Sequence, residues 1–141
     1  MRIAIVGAGW AGGIHAAAYA SMEGVEIASI VGRGPRRAKE LAAKVNAPST
    51  TDLAAVLEDE SIDAVDVCVP SGLHRQVAVP ALNAGKHVLL ETPIALTLKD
   101  ADAILSAAKR HRRIVAVAQT MASMSSMVGS GIGAILAASA R

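Results

Sequence analysis

The chain opens with Met1-Arg2-Ile3-Ala4-Ile5-Val6-Gly7-Ala8-Gly9-Trp10-Ala11-Gly12, in which an apolar run leads into the pattern G-x-G-x-x-G and an alanine-rich segment follows. This order predicts a strand, a tight turn and a helix, the local structure that binds a dinucleotide. Gly7 allows the turn, Gly9 lets a pyrophosphate approach the backbone, and Gly12 lets the helix pack closely on the strand. The free N–H groups at the helix N-terminus, around Trp10 and Ala11, would hold the phosphates. We therefore predict dinucleotide binding here rather than a plain glycine-rich turn.

The residues that follow the second apolar run indicate which dinucleotide is bound. An acidic residue about 20 positions after the glycine motif normally binds the ribose 2′-hydroxyl of NAD. In this chain Gly32 stands at that position, and Arg33, Arg36 and Arg37 follow it. A glycine leaves room for a 2′-phosphate, and arginine offers the phosphate a planar, bidentate partner. The pattern favours NADP, with NAD as the alternative; the competing interpretation is that these arginines form the solvated start of a helix.

Composition excludes several classes of protein. The 141 residues suit one domain, and the net charge of +2 comes without a basic stripe. With no Phe, one Trp and one Tyr, the chain lacks the aromatic residues that stack on nucleic acid, so we expect no nucleic-acid partner. No apolar run reaches membrane-spanning length and no signal peptide is recognisable, which predicts a cytoplasmic protein without membrane contact. The single cysteine, Cys68, is expected to be a small buried side chain.

Predicted strands and helices alternate along the first 120 residues. The predicted strands are residues 2–6, 25–31, 48–50, 64–69, 86–90 and 114–118. The predicted helices are residues 12–22, 35–45, a short one capped by Asp52, 73–84, and one that starts with the Thr97/Asp100 capping pattern and runs through Arg110. Apolar strands that alternate with helices indicate an α/β protein with a doubly wound parallel sheet, the Rossmann fold.

Three segments, taken in order, resemble the glucose–fructose oxidoreductase / inositol dehydrogenase (Gfo/Idh/MocA) family. They are Gly7 to His15, Asp63-Ala-Val-Asp-Val-Cys-Val-Pro-Ser-Gly-Leu-His74, and Ala84-Gly-Lys-His-Val-Leu-Leu-Glu-Thr-Pro93. The resemblance implies an N-terminal nucleotide-binding domain, followed by a second α/β domain that often forms the interface of a homo-oligomer. It also implies hydride transfer between a nicotinamide cofactor and a small-molecule substrate, which is a sugar, an inositol or a related carbonyl or alcohol.

The resemblance also implies further site residues. It places Pro70, Ser71 and His74 beside the cofactor, with Ser71 where the family often has Asn. Glu91-Thr92-Pro93 matches the family's Glu-Lys-Pro motif at the nicotinamide end of the cofactor. In the family that lysine helps to place the nicotinamide and can assist proton transfer. Thr92, the candidate catalytic residue here, can donate a hydrogen bond but carries no positive charge and is no general acid near neutral pH.

A second departure from the family lies near the end of the sequence. Residues 131–136 resemble the strand that opens the family's second domain, but the Arg-Phe pair that precedes it in the family is absent. The expected domains are therefore a Rossmann domain over residues 1–120, and a linker with a remnant of that strand over residues 121–141. The family's distal Asp and His would lie beyond residue 141. Two interpretations stay open: the cofactor domain of an NADP-dependent oxidoreductase, or a non-catalytic NADP(H)-binding module or inactive fragment.

Several polar residues leave alternatives open. Asp66 lies inside an apolar run, so it is either a buried acid with a partner or a side chain at the end of the sheet. His15 either approaches the cofactor or packs in the core, whereas His87 and His111 are expected to be structural. No set of Cys, His and Asp residues has the spacing of a metal site, so we expect no metal ion.

Overall fold

A computed structural model describes residues 1–118 together with the single residues Gly133, Ile135 and Ala137. One six-stranded sheet, in which every pairing is parallel, runs through the centre of the fold in the order β3-β2-β1-β4-β5-β6. The strands are β1 (Arg2–Val6), β2 (Glu26–Val31), β3 (Ser49–Thr50), β4 (Ala64–Val67), β5 (His87–Glu91) and β6 (Val115–Ala118). This strand order is that of the dinucleotide-binding fold, and it reverses between β1 and β4. The predicted fold class is confirmed.

The helices lie on both faces of the sheet, and the three that have a capping signal in the sequence begin where that signal predicted. They are α1 (Trp10–Ala20), α2 (Pro35–Lys44), α3 (Leu53–Glu58), α4 (His74–Asn83) and α5 (Leu98–His111). Pro35 occupies the first turn of α2. The side chain of Asp52 accepts a hydrogen bond from the backbone N–H of Ala55, and Thr97 accepts one from that of Asp100. Each cap satisfies a backbone donor that the first helical turn leaves without a partner.

The observed bounds of most elements differ from the predicted ones by one or two residues, and the differences at the start of α1, the end of β4 and the start of α4 concern the site. Helix α1 begins at Trp10 rather than at residue 12, because Gly9 already accepts the first helical hydrogen bond, from the N–H of Gly13 at 3.0 Å. Strand β4 ends at Val67 rather than at residue 69. A single 3-10 turn over residues 71–73 then precedes α4, which therefore begins at residue 74 rather than at residue 73.

Two apolar layers, one on each face of the sheet, form the core. Strand β1 divides its side chains between them: Ala4 and Val6 face one layer, and Ile3 and Ile5 face the other. The first layer contains residues of α4 and α5, and the second contains residues of α1 and α2. Most of the helix residues in these two layers are alanines, namely Ala16, Ala38, Ala42, Ala78, Ala81, Ala107 and Ala108. Small residues let the helices approach the sheet closely, so this core forms without phenylalanine.

The predicted remnant strand at residues 131–136 falls largely outside the described residues. The two described residues of that segment, Gly133 and Ile135, are helical rather than extended. Ile135 is fully buried and belongs to the core layer of α1 and α2. None of the helices in the described part of the chain is both long enough and apolar enough to cross a membrane.

Candidate dinucleotide-binding site

The three glycines of the first turn differ in the space around them, and each difference agrees with the role predicted for that glycine. Gly7 has a φ of +122°, and a Cβ atom there would lie 2.3 Å from the carbonyl oxygen of Cys68. A Cβ atom on Gly12 would lie 1.9 Å from the carbonyl oxygen of Gly7, so helix α1 can pack on the turn only without a side chain. A Cβ atom on Gly9 would meet nothing within 4 Å. The turn thus packs tightly against the protein at Gly7 and Gly12, and its backbone is open to a ligand at Gly9.

An open cavity of about 800 Å³ lies beside this turn, at the carboxyl end of the strands. It is formed by the residues that follow β1, β2, β3 and β4, which is where the strand order reverses and where ligands of such sheets bind. The predicted site residues that it brings together are Gly7, Gly9, Gly32, Arg33, Arg37 and Pro70. The lining residues that sequence reasoning missed include Thr51 and Leu53, whereas Leu73 belongs to the loop that the resemblance placed beside the cofactor. Thr51 follows the two-residue strand β3, so only the sheet order could have indicated it.

Trp10 lies outside the main cavity. It is 73% exposed at the start of α1 and lines a neighbouring cavity of about 380 Å³, together with Gly9, Gly13 and Lys44. Arg37 lines both cavities. Arg37, like Gly9, therefore borders both spaces.

Packing against helix α2 requires a glycine at position 32. A Cβ atom at this position would lie 2.8 Å from the Cβ of Ala38 and 2.9 Å from the carbonyl oxygen of Gly34. Sequence reasoning considered only the space for a phosphate and missed this contact with helix α2. Arg33 and Arg37 are exposed, and neither forms an ion pair with another residue of the described part of the chain. Their guanidinium groups are therefore available at the edge of the cavity.

His74, which the resemblance placed beside the cofactor, is not brought into the cavity. Its side chain is fully buried, with Nδ1 3.2 Å from the carbonyl oxygen of Ile94 and Nε2 3.0 Å from that of Val69. The ring therefore joins the loop after β4 to the loop after β5, and it stabilises these loops without lining the cavity. Burial of the side chain distinguishes this structural role from contact with a ligand, and the sequence alone does not reveal that His74 is buried.

The other residues predicted from the resemblance do not line the cavity. Ser71 and Glu91 are half-buried, and Thr92 and Pro93 are exposed. Ser71 follows β4, Glu91 is the last residue of β5, and Thr92 and Pro93 come directly after it. Ala11 is half-buried in the first turn of α1, directly after Trp10. These positions border the same edge of the sheet as the glycine turn.

A buried polar cluster, formed by His15, Tyr19, Asp66, Cys68 and Glu91, lies behind the glycine turn. His15 Nδ1 is 2.7 Å from Asp66 Oδ2, and His15 Nε2 is 2.7 Å from Glu91 Oε1. The hydroxyl of Tyr19 donates to Asp66 Oδ2 at 2.7 Å, and the thiol of Cys68 donates to Asp66 Oδ1 at 3.5 Å. The structure thus resolves the alternatives for two residues: His15 and Asp66 are buried partners, and neither lines the main cavity.

The titration of this cluster is set by burial and by its two carboxylates. Burial lowers the pKa of His15, but the hydrogen bond and the charge of Asp66, together with those of Glu91, outweigh burial and raise the pKa above its ordinary value. Burial and the nearby Asp66 raise the pKa values of Tyr19 and Cys68 well above their ordinary ranges. Tyr19 and Cys68 are therefore neutral hydrogen-bond donors at neutral pH.

The spacing argument that excluded a metal site missed one group of residues. Ligand atoms of His15, Asp66 and Cys68 lie within 4.8 Å of one another, because α1 and β4 bring distant parts of the chain together. The same atoms bond to each other, and every buried side-chain nitrogen and oxygen of the described residues has a hydrogen-bond partner. We therefore interpret the group as a hydrogen-bonded cluster.

The parallel sheet, the strand order, the open glycine turn and the cavity at the strand ends define a nucleotide-binding Rossmann domain. Residues 1–119 match the model of the Gfo/Idh/MocA oxidoreductase family, described as having an NAD-binding Rossmann fold. The chain belongs to this family. The resemblance inferred from the sequence motifs is thereby confirmed.

Three similar proteins illustrate the range of the family. The chain is 40% identical over 121 residues to 4-carboxy-2-hydroxymuconate-6-semialdehyde dehydrogenase of Sphingobium sp. (strain NBRC 103272 / SYK-6), covering 85% of this chain and 38% of that one. It is 36% identical over 112 residues to scyllo-inositol 2-dehydrogenase (NADP(+)) of Bacillus subtilis (strain 168), covering 79% and 34%. The crystal structure of GenD2 from gentamicin A biosynthesis in complex with NAD superposes with a TM-score of 0.80 at 31% identity, covering 83% and 34%.

The matched region is the cofactor domain of larger proteins. The chain spans 38% and 34% of the length of the two curated relatives named above. One of those relatives is named for NADP(+), and the superposed structure contains NAD. Binding of a nicotinamide dinucleotide is thus a property that the family shares, whereas the choice between the two cofactors differs among its members.

Proposed function

We propose that this domain binds NADP(H) and serves hydride transfer between the nicotinamide and a carbonyl or alcohol of a sugar, an inositol or a related small molecule. The observation that carries the proposal is the cavity itself, in which a glycine turn that is open at Gly9 adjoins exposed Arg33 and Arg37. Position 32, where NAD-binding proteins place an acid, is occupied by a glycine that packing requires. The residues present therefore fit a dinucleotide that carries a 2′-phosphate.

The roles of the residues follow from their places along the cavity. The N–H groups at the start of α1 would hold the pyrophosphate, because the helix N-terminus has free donors and a favourable dipole. Arg33 and Arg37 would pair with the 2′-phosphate through charge-assisted hydrogen bonds. When bound, the cofactor supplies the hydride acceptor or donor, and the protein contributes position and electrostatics. Thr92, exposed after β5, can donate a hydrogen bond to the bound ligands.

A second candidate function is a non-catalytic NADP(H)-binding module. The observation that favours it is Thr92, which replaces the lysine of the family's Glu-Lys-Pro motif and cannot transfer a proton near neutral pH. Both candidates use the same cofactor site, so they differ only in turnover. The predicted homo-oligomer, the small-molecule substrate and the cytoplasmic location stay predictions.

Titration with NADPH tests the shared part of both proposals. Trp10 is the only tryptophan of the chain and lies 73% exposed beside the glycine turn, so its fluorescence reports on a dinucleotide bound at that turn. We expect saturable quenching by NADPH and weaker binding of NADH. Calorimetry with both cofactors measures the two affinities without an optical probe. Absence of saturable binding for both would overturn the proposal.

Turnover separates the two candidates. NADP+ reduction with a panel of inositols and sugars, and NADPH oxidation with small semialdehydes, should show activity that depends on one substrate if the protein is an oxidoreductase. Tight NADPH binding with no turnover across the panel would favour the binding module or an inactive fragment over the oxidoreductase. A matched Gly9→Val variant, which fills the approach to the turn, controls for activity from a contaminating enzyme.

A further inference from the structure

The two halves of the sheet receive different halves of a dinucleotide. A fold with this strand order is built from two mononucleotide-binding halves, and the ribose that carries the 2′ group is bound at the end of β2. The adenosine half is therefore β1 to β3, and the nicotinamide half is β4 to β6. Asp66 lies on β4 and Glu91 ends β5, so both carboxylates belong to the nicotinamide half.

These two carboxylates are held by one histidine. The side chains of His15 and Asp66 are 4% and 0% exposed, and that of Glu91 is 23% exposed. With both acids ionised, their oxygens only accept hydrogen bonds, so both ring nitrogens of His15 would donate and the ring would be an imidazolium, which is the charge state that we assign to it. With Tyr19 and Cys68 neutral, two carboxylates and one imidazolium give the cluster a net charge of about −1.

We propose that the His15–Asp66–Glu91 cluster is a fixed negative charge at the nicotinamide end of the cleft, and that it strengthens the binding of the oxidised cofactor relative to the reduced one. The inference rests on the proposed cofactor site. The ring of NADP+ carries a positive charge that the ring of NADPH lacks, so a buried anion distinguishes the two. His15 acts here as a positioning residue, because it holds Glu91 to Asp66 and does not line the main cavity.

The ratio of the two dissociation constants isolates this effect, because the adenosine, ribose and pyrophosphate contacts are the same in both cofactors. Glu91→Gln removes one negative charge with little change of shape. We expect the variant to weaken NADP+ relative to NADPH by about tenfold, the size of effect that a close charge has on a partly buried group. Glu91→Asp keeps the charge and should keep a ratio near that of the wild type.

The matched control is Glu26→Gln at the opposite end of the sheet. Glu26 begins β2 and pairs with Arg2 at 3.1 Å, so the substitution makes the same chemical change far from the cleft. It should leave the ratio unchanged. A Glu91→Gln variant that weakens both cofactors equally, or neither, would overturn the inference. If the wild type binds neither cofactor, the proposed function fails instead.

Two measurements on the wild type need no substitution at Glu91. Histidine-labelled NMR of the free protein should show both ring nitrogens of His15 protonated at neutral pH, and a neutral His15 would refute the charge assignment. The charged or titratable groups that face this ring are Tyr19 of α1, Asp66 and Cys68 of β4, and Glu91 of β5. When His15 loses its proton at high pH the cluster becomes more negative, so the ratio should shift further towards NADP+ in step with the NMR titration.

Discussion

Replacing Arg33 with alanine should reduce the preference for NADPH without disturbing the fold. Arg33 is exposed at the edge of the main cavity and forms no ion pair with another described residue, so its removal breaks no contact of that kind. A hydrogen bond to a charged group contributes about 1.5–3 kcal/mol. Because water screens an exposed side chain, we take the lower end, about 1.5 kcal/mol, which corresponds to about a tenfold rise in the Kd for NADPH.

Calorimetric titration of wild type and variant with NADPH and NADH measures this effect. The Kd for NADH should change by less than about twofold, since NADH has no 2′-phosphate for the guanidinium to contact. Arg110→Ala, an exposed substitution in the last turn of α5, removes the same charge away from the cavity and should change neither affinity. Higher salt should narrow the difference between the wild type and Arg33→Ala. An equal loss for both cofactors, or no loss, would refute the assignment of Arg33 to the 2′-phosphate.

Further predictions concern the glycine turn and the titration of the fold. Gly9→Val should abolish binding of both cofactors and leave the urea midpoint nearly unchanged, since a Cβ there meets nothing within 4 Å. Gly12→Ala should instead lower the free energy of unfolding by about 2 kcal/mol or more, because its Cβ would lie 1.9 Å from a backbone oxygen. The pKa of His15 is raised above 6.5, so its contribution to stability is complete below that pH and is lost as pH rises through the folded value. Denaturation series should show a decline of at most about 1.4 kcal/mol per pH unit there, and His15→Gln should lack it. Burial and the charge of Arg113 lower the pKa of His87. The contribution of His87 to stability is therefore complete above pH 6.5, and it is lost as pH falls from 6.5 through the folded pKa.

The sequence predicted most of the fold because its local signals agree with its tertiary structure. Strand β1 has the predicted bounds, and Pro35, Asp52 and Thr97 mark helix starts where capping chemistry requires them. Helix α1 was predicted to begin at residue 12 but begins at Trp10, because Gly9 before it has no side chain to form a cap and so gives no capping signal. Gly12 lies inside α1 as predicted, although glycine disfavours helices, because close packing on the turn excludes any side chain there. Tertiary packing thus overrides local propensity at the functional turn.

The candidate site was predictable only where its residues are adjacent in sequence. The glycine turn and the arginines after β2 are local patterns, and the structure brings them to one cavity. The polar cluster is not local: 51 residues separate His15 from Asp66, and Glu91 lies on the next strand. Its assembly depends on the parallel register that pairs Asp66 with Leu89 of β5, and no spacing rule contains that register. The sequence could therefore offer a buried partner as one of two alternatives for Asp66, but it could not decide between them or identify the partner.

The charges of the site are arranged as a dinucleotide would require. On the proposed function, exposed Arg33 and Arg37 would face the anionic 2′-phosphate at one end. The carboxylates of Asp66 and Glu91 belong to the half of the sheet that would receive the nicotinamide. Water screens the exposed arginines, whereas the anions act through a mostly buried network where screening is weak. One end would then select the cofactor and the other its oxidation state. Because the two groups lie in different halves of the sheet and share no partner, the effects of Arg33→Ala and Glu91→Gln should add in the double variant.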